Sequence, residues 1–290
     1  MRIATYRHHN TRHVGRVSSD GLHVQAFDVS AEIAHFGALR LLESVVAGGQ
    51  WPAITNQQIA ISDVQLEAPM PVPRRNIWCV GRNYHEHAKE LSTSVFKDSN
   101  TNTQAWPIVF TKVPECVVGP FDAVHLPGAQ VSEQIDYEAE LAVIIGKGGK
   151  NITAADAMQH VFGYTIVNDV TARDVQMRHQ QWDMGKSFDT FCPMGPWMVT
   201  ADALDGTHTH VRCVVNGEQR QNGPTENMIF DIPTLIETIS RGISLFPGDI
   251  IATGTPAGVG MGLKPPSYLK AGDVVRVEID GIGHIENRFV

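Results

Sequence analysis

Cysteine is scarce in this chain. There are four in 290 residues, Cys79, Cys116, Cys192 and Cys213, and no two form a C-x-x-C pair. That spacing excludes a zinc knuckle and a thioredoxin-type motif, and leaves reduced core thiols as the expectation. Charge is also sparse, at 19% Asp, Glu, Lys and Arg, and the net charge of −8 with a pI near 5.9 has the wrong sign for a polyanion partner. No long basic run offsets it, so nucleic acid is not an expected partner. No apolar run approaches a membrane span of about 20 residues, and no signal-peptide succession of basic, apolar and small residues is present. A soluble cytoplasmic protein with no membrane contact is the expectation. Several catalytic motifs are missing as well. There is no G-x-S-x-G elbow; His85-Glu86-His87 opens like H-E-x-x-H, but Lys89 stands where the second histidine belongs. Gly185-Lys186-Ser187 ends like a P-loop, but Gln180 stands where its first glycine belongs.

What the chain does have is 42% hydrophobic content, enough for a large core, in short β-branched runs. These recur at 77–80, 109–111, 141–145, 161–167, 211–215, 249–253 and 274–279, with turn signals such as Asn216-Gly217 and Pro247-Gly248-Asp249 between them. A helix is expected over 232–240. Before residue 70, short alternating segments and a helical stretch at 38–46 suggest a small N-terminal α+β domain, 1–70. Pro69, Pro71 and Pro73 then break both helix and strand, so 68–74 reads as a linker into the main domain, 75–290. The fold class is α+β and mostly β: a mixed sheet rolled or closed on itself, with peripheral helices.

The most informative stretch is Asp136-Tyr137-Glu138-Ala139-Glu140, which runs into the apolar segment Leu141-Ala142-Val143-Ile144-Ile145. Alternation along a strand puts its three carboxylates on one face, where like charges raise one another's pKa unless a cation compensates. A divalent metal meets that need, and Asp169, at the end of another β-prone run, offers a third ligand. Oxygen ligands alone suit Mg²⁺, Mn²⁺ or Ca²⁺ rather than zinc. The competing reading is an exposed acidic face paired with lysine and arginine. A second constellation is His87 and Glu90, which share a helix face at i, i+3. A carboxylate beside an imidazole orients it to take a proton, although such a pair is also an ordinary surface contact.

Residues 81–90, 136–146, 168–176, 185–196 and 248–260 resemble, in order, the motifs of the fumarylacetoacetate hydrolase family. Residues 1–70 resemble the extension of its longer bacterial-type and domain-containing-protein-2 members. The resemblance implies the family's mixed β-sandwich roll and a homodimer. It implies one Mg²⁺ or Mn²⁺ per chain on Glu138, Glu140 and Asp169, with Ca²⁺ as a further option and Asp136 beside the ligands. It makes His87 and Glu90 a water-activating dyad, places Lys186 near the metal with Thr190 in the same loop, and brings Thr255 to the substrate carboxylate. Arg173 and Gln176 match polar pocket positions. The implied activity is hydrolysis of a C–C bond in a 2,4-dioxo, acylpyruvate-like acid, giving a carboxylic acid and pyruvate, as in aromatic catabolism. Oxaloacetate decarboxylation and 2-hydroxymuconate-type isomerisation use the same enolate chemistry and are the alternatives; a catalytically silent metal- or metabolite-binding protein is the remaining one. The polar segment 91–104 is expected to close over the site when substrate binds.

Overall fold

The computed structural model describes residues 1–92, 106–178 and 180–290. The segment expected to close over the site lies, from residue 93 onward, outside them. The large sheet runs β4 (Ile54–Ala60), β3 (His23–Phe27), β2 (Thr11–Val17), β1 (Arg2–His8), β13 (Cys192–Thr200), β11 (Val161–Asn168), β10 (Ala139–Ile145), β16 (Ile250–Ala252), β6 (Ile77–Gly81) and β7 (Ile108–Lys112). β5 (Gln65–Glu67) joins it on β1 and β8 (Val117–Val118) on β13. A second sheet is ordered β15 (Glu218–Pro224), β14 (His210–Val215), β17 (Val274–Ile279) and β18 (Gly283–Arg288), and β9 (Ile135–Asp136) pairs with β12 (Thr171–Ala172). The helices are α1 (Ala31–His35), α2 (Ala38–Val46), α3 (His85–Ser92), α4 (Arg173–Gln176), α5 (Asp183–Lys186) and α6 (Ile232–Ser240).

β10 explains the architecture. Every one of its residues is buried. Leu141, Val143 and Ile145 face one core, shared with Val211, Cys213, Val275 and Val277 of the second sheet, while Ala142 and Ile144 face another, shared with Leu39, Leu41 and Leu42 of α2. A strand covered on both faces needs an unbroken apolar run, and residues 141–145 supply it. Each Leu, Ile or Val buried there stabilises by about 1.5–3 kcal/mol. The result is mostly β: two packed sheets with helices outside them. β1 pairs with β13 at Arg2↔Val199 and Ile3↔Met198, so the N-terminal strands continue the same sheet. α6 starts where sequence chemistry puts it, with the Asp231 side chain accepting the Thr234 N–H at 2.9 Å and a proline in the first turn. All four cysteines are buried and unpaired. Among the described residues, no helix is long and apolar enough to cross a membrane.

Candidate active site

The acidic strand face forms as a break between two strands. Asp136 ends β9, Glu138 lies in the gap, and Glu140 is in β10. Antiparallel pairing sets Ala139 opposite Asn168, and the Asp169 N–H donates to the Glu138 carbonyl at 2.8 Å. The Asn168 side-chain oxygen accepts the Glu138 N–H at 3.0 Å. This register brings Glu138, Glu140 and Asp169 together, all buried, with ligand oxygens within 4.8 Å of one another. Asp136 is not in the triad. Its carboxylate pairs with Arg173 Nε at 2.8 Å and accepts the N–H groups of Gly260 at 2.7 Å and Met261 at 2.9 Å.

Three buried cations surround these four carboxylates. Lys186 Nζ lies 2.6 Å from Glu138 and 2.7 Å from Asp169. Arg173 Nη2 is 2.7 Å from Glu138 Oε1, close enough for an ion pair but off the hydrogen-bond line. Lys112 Nζ donates to Asp169 at 2.8 Å and to the Val170 carbonyl at 3.1 Å, and also contacts the Lys186 carbonyl. Glu140 is the carboxylate left over. It is 1% exposed, and its hydrogen bond is the Gly254 N–H at 2.9 Å. Burial, then the charges of Asp169 and Glu138, push its pKa well up. Burial acts in the same direction on Glu138, but Arg173 and Lys186 overcome it and hold that carboxyl below its usual range. An excess buried negative charge among hard oxygen donors, with no thiolate ligand in the group, fits a divalent cation.

The other expected residues fall into place around this centre, with one exception. His87 is 2% exposed, and its Nδ1 lies 3.1 Å from Glu90 Oε2. His87, Glu138, Glu140, Arg173, Gln176, Lys186 and Thr255 border one cavity of about 20 Å³, room for an ion or a water. Val80, Gly81, Arg82, Phe110 and Trp182 complete its wall. Thr190 does not border this cavity; its Oγ1 accepts the His125 N–H at 2.8 Å. A much larger cavity, about 540 Å³ and bordered by Arg2, Arg16 and His23, shares no residue with this one, so size alone does not mark the chemistry.

Two local sequences acquire reasons. Gly185 precedes Lys186 because α5 packs on α4: a Cβ there would lie 2.6 Å from the Gln176 nitrogen. The glycine-rich 254–261 loop is a row of amide donors. Gly254 donates to Glu140, Gly258 to Glu90 at 3.1 Å, and Gly260 and Met261 to Asp136. Gly258 has φ +107°, and a Cβ would lie 1.9 Å from the Arg220 carbonyl. Sequence reasoning missed Lys112 and Gln221, since neither stands in a motif. Arg82 does stand in one, the 81–90 stretch, a signal that could have found it; burial lowers its pKa to about 10.

A mostly-β fold with a buried carboxylate triad beside an imidazole defines a class of metal-dependent enzyme, and comparison with known proteins makes it specific. The family described as fumarylacetoacetate (FAA) hydrolase C-terminal matches residues 76–290. Oxaloacetate tautomerase YisK of Bacillus subtilis is 48% identical over 246 residues, covering 83% of this chain and 79% of that protein. The structure of a fumarylacetoacetate hydrolase from Exiguobacterium antarcticum superposes with a TM-score of 0.84 at 41% identity, covering 100% of this chain and 99% of the other. That of 5-carboxymethyl-2-hydroxymuconate delta-isomerase from Mycobacterium smegmatis does so with a TM-score of 0.78 at 31% identity, again covering 100% and 99%. The chain belongs to the fumarylacetoacetate hydrolase family, a family of enzymes acting on small molecules.

Proposed function

We propose that the protein interconverts the enol and keto forms of a small 2-oxo dicarboxylic acid of the oxaloacetate type. The observation that carries this reading is the imidazole of His87, held through Nδ1 by Glu90 and bordering the same cavity as Glu138, Glu140 and Lys186. With Glu90 accepting from Nδ1, the Nε2 of the neutral ring is a base. A proton leaves carbon 3 of the substrate for Nε2, the electron pair moves to the 2-oxo oxygen, and protonation of that oxygen gives the enol; the reverse restores the ketone. Lys186 is placed to stabilise charge on the oxygen, while Arg173, Gln176 and Thr255 orient the substrate. Glu138, Glu140 and Asp169 would hold a Mg²⁺ or Mn²⁺ ion, which would supply further electrostatic stabilisation of developing negative charge.

This chemistry needs one base and no attacking water. Two of the relatives are named for oxaloacetate tautomerisation and for hydroxymuconate isomerisation, which supports proton transfer over cleavage. The second reading is acylpyruvate hydrolysis, favoured by the same His87–Glu90 pair acting on water. One panel decides: enol-to-keto conversion of oxaloacetate, pyruvate release from oxaloacetate and cleavage of an acylpyruvate, each with Mg²⁺, Mn²⁺ or EDTA. The proposal requires that tautomerisation be the fastest and be lost in EDTA; faster acylpyruvate cleavage overturns it.

A further inference from the structure

Gln221 lies in β15 of the second sheet, fully buried, and reaches across to the site. Its Oε1 accepts the Ala139 N–H at 3.1 Å, and its Nε2 donates to Thr255 Oγ1 and to the Pro256 carbonyl, both at 2.7 Å. Ala139 is the residue between Glu138 and Glu140. Its own carbonyl accepts the Thr255 hydroxyl at 2.9 Å. The Thr255 hydroxyl therefore accepts from Gln221 and gives its one proton to Ala139, leaving no side-chain hydrogen for a substrate anion. The Thr255 main-chain N–H, by contrast, makes no hydrogen bond among the described residues, and Thr255 borders the catalytic cavity.

We propose that Gln221 is a positioning residue that locks Thr255 and Ala139 together, so that the Thr255 backbone N–H, rather than its hydroxyl, receives the substrate carboxylate. The amide of Gln221 is suited to this. One planar group supplies an acceptor for one segment and two donors for another, and a neutral group adds no charge beside the carboxylates. The second sheet thereby sets the spacing between the 138–140 segment, which carries two triad residues, and the corner that receives substrate.

The inference rests on the proposed reading only in taking the substrate to be a carboxylate. The test therefore uses oxalate, a 2-oxo-acid-like dicarboxylate with no carbon 3 from which to lose a proton, in the presence of Mg²⁺. In Gln221→Met, a side chain of similar volume that makes none of the three bonds, calorimetry should find oxalate weakened on the order of tenfold, the worth of about one buried hydrogen bond. Thr255→Val should show the same loss, the double variant should be no worse, and Thr255→Ser should match the parent. With oxaloacetate, KM should rise while kcat holds, because a carboxylate contact is made equally in ground and transition states. In protein labelled with ¹⁵N-threonine, oxalate should move the Thr255 amide proton downfield more than any other threonine amide. This measurement needs no variant that must fold. An unmoved Thr255 amide overturns the inference. So does undiminished oxalate affinity in Gln221→Met, which is the result expected if the hydroxyl, once released, were the donor. Losses that multiply in the double variant also overturn it. Absence of oxaloacetate turnover with the oxalate results intact would count against the proposed activity alone.

Discussion

Replacing Glu140 by Gln tests the charge balance of the site directly. Glu140 is buried, faces Glu138 and Asp169 within 4.8 Å, and makes no ion pair among the described residues. Two unit charges 4.8 Å apart at an effective dielectric constant of about 20 repel by about 3 kcal/mol. Two such pairs act on Glu140, and attraction to Lys186 offsets about one of them. Glutamine keeps the oxygen that accepts the Gly254 N–H and removes the charge, so Glu140→Gln should stabilise the EDTA-treated protein by about 2–3 kcal/mol at pH 8. The sign of the pH dependence comes from the raised folded-state pKa. Below the unfolded value of 4.5 the carboxyl is protonated in both states and the variant gains nothing; as pH rises above it, the unfolded wild type sheds its proton first and the advantage grows until the folded group also ionises. Urea unfolding in EDTA between pH 4 and pH 8 measures this. Adding Mn²⁺ should reverse the order, since an ion at about 1,000 times its Kd stabilises wild type by about 4.1 kcal/mol and the variant hardly at all. A variant no more stable than wild type at pH 8, or a gain independent of pH, would refute the reasoning.

His87→Ala and Glu90→Ala should each lower kcat for tautomerisation by on the order of 10²–10⁴, and the double variant should be hardly worse than His87→Ala, with Mn²⁺ affinity intact by calorimetry. Multiplying losses would mean that the two residues act separately. Gly258→Ala places a methyl group against the Arg220 carbonyl in a left-handed conformation and disturbs the amide that seats Glu90, so it should lower both the Tm and kcat. Unchanged kcat would show that Glu90 does not need that amide. Lys112→Met removes the ammonium from a fully buried ion pair with Asp169, and urea unfolding should show a loss of about 3–5 kcal/mol; a loss below about 1 kcal/mol would place Asp169 wholly under the control of Lys186.

How far the fold could be read in advance depended on whether local chemistry and tertiary need coincided. They coincide in β10, whose apolar run is demanded by two cores, and in α6, whose Asp231 cap and Pro233 are local signals. They conflict in β13. Pro193 and Pro196 argue against an interior strand, yet β13 lies between β1 and β11, and its pairing with β11 absorbs the irregularity as a register shift between Tyr164 and Ile166. β15 is illegible in advance because Glu218-Gln219-Arg220-Gln221-Asn222-Gly223 carries no apolar alternation. The triad was legible because Glu138 and Glu140 are two apart and Asp169 ends a strong strand. Lys112 and Gln221 were not, since their partners lie 57 and 82 or 34 residues away, and pairing at that range leaves no local trace.

The amide row of the 254–261 loop has a bearing on how this scaffold can change. One short backbone segment seats Glu90, the partner of His87, the triad member Glu140 and the Asp136 that anchors Arg173. A shift of the segment disturbs all three at once, so an insertion or deletion there is a poor route to altered substrate preference. On the wall formed by Arg82, Phe110 and Trp182 none of those amide hydrogen bonds is made, although Phe110 lies under Lys186 Nζ at 4.8 Å and is the one to keep. Libraries built to redirect the enzyme toward longer or less polar acids belong on that wall, with the loop left untouched.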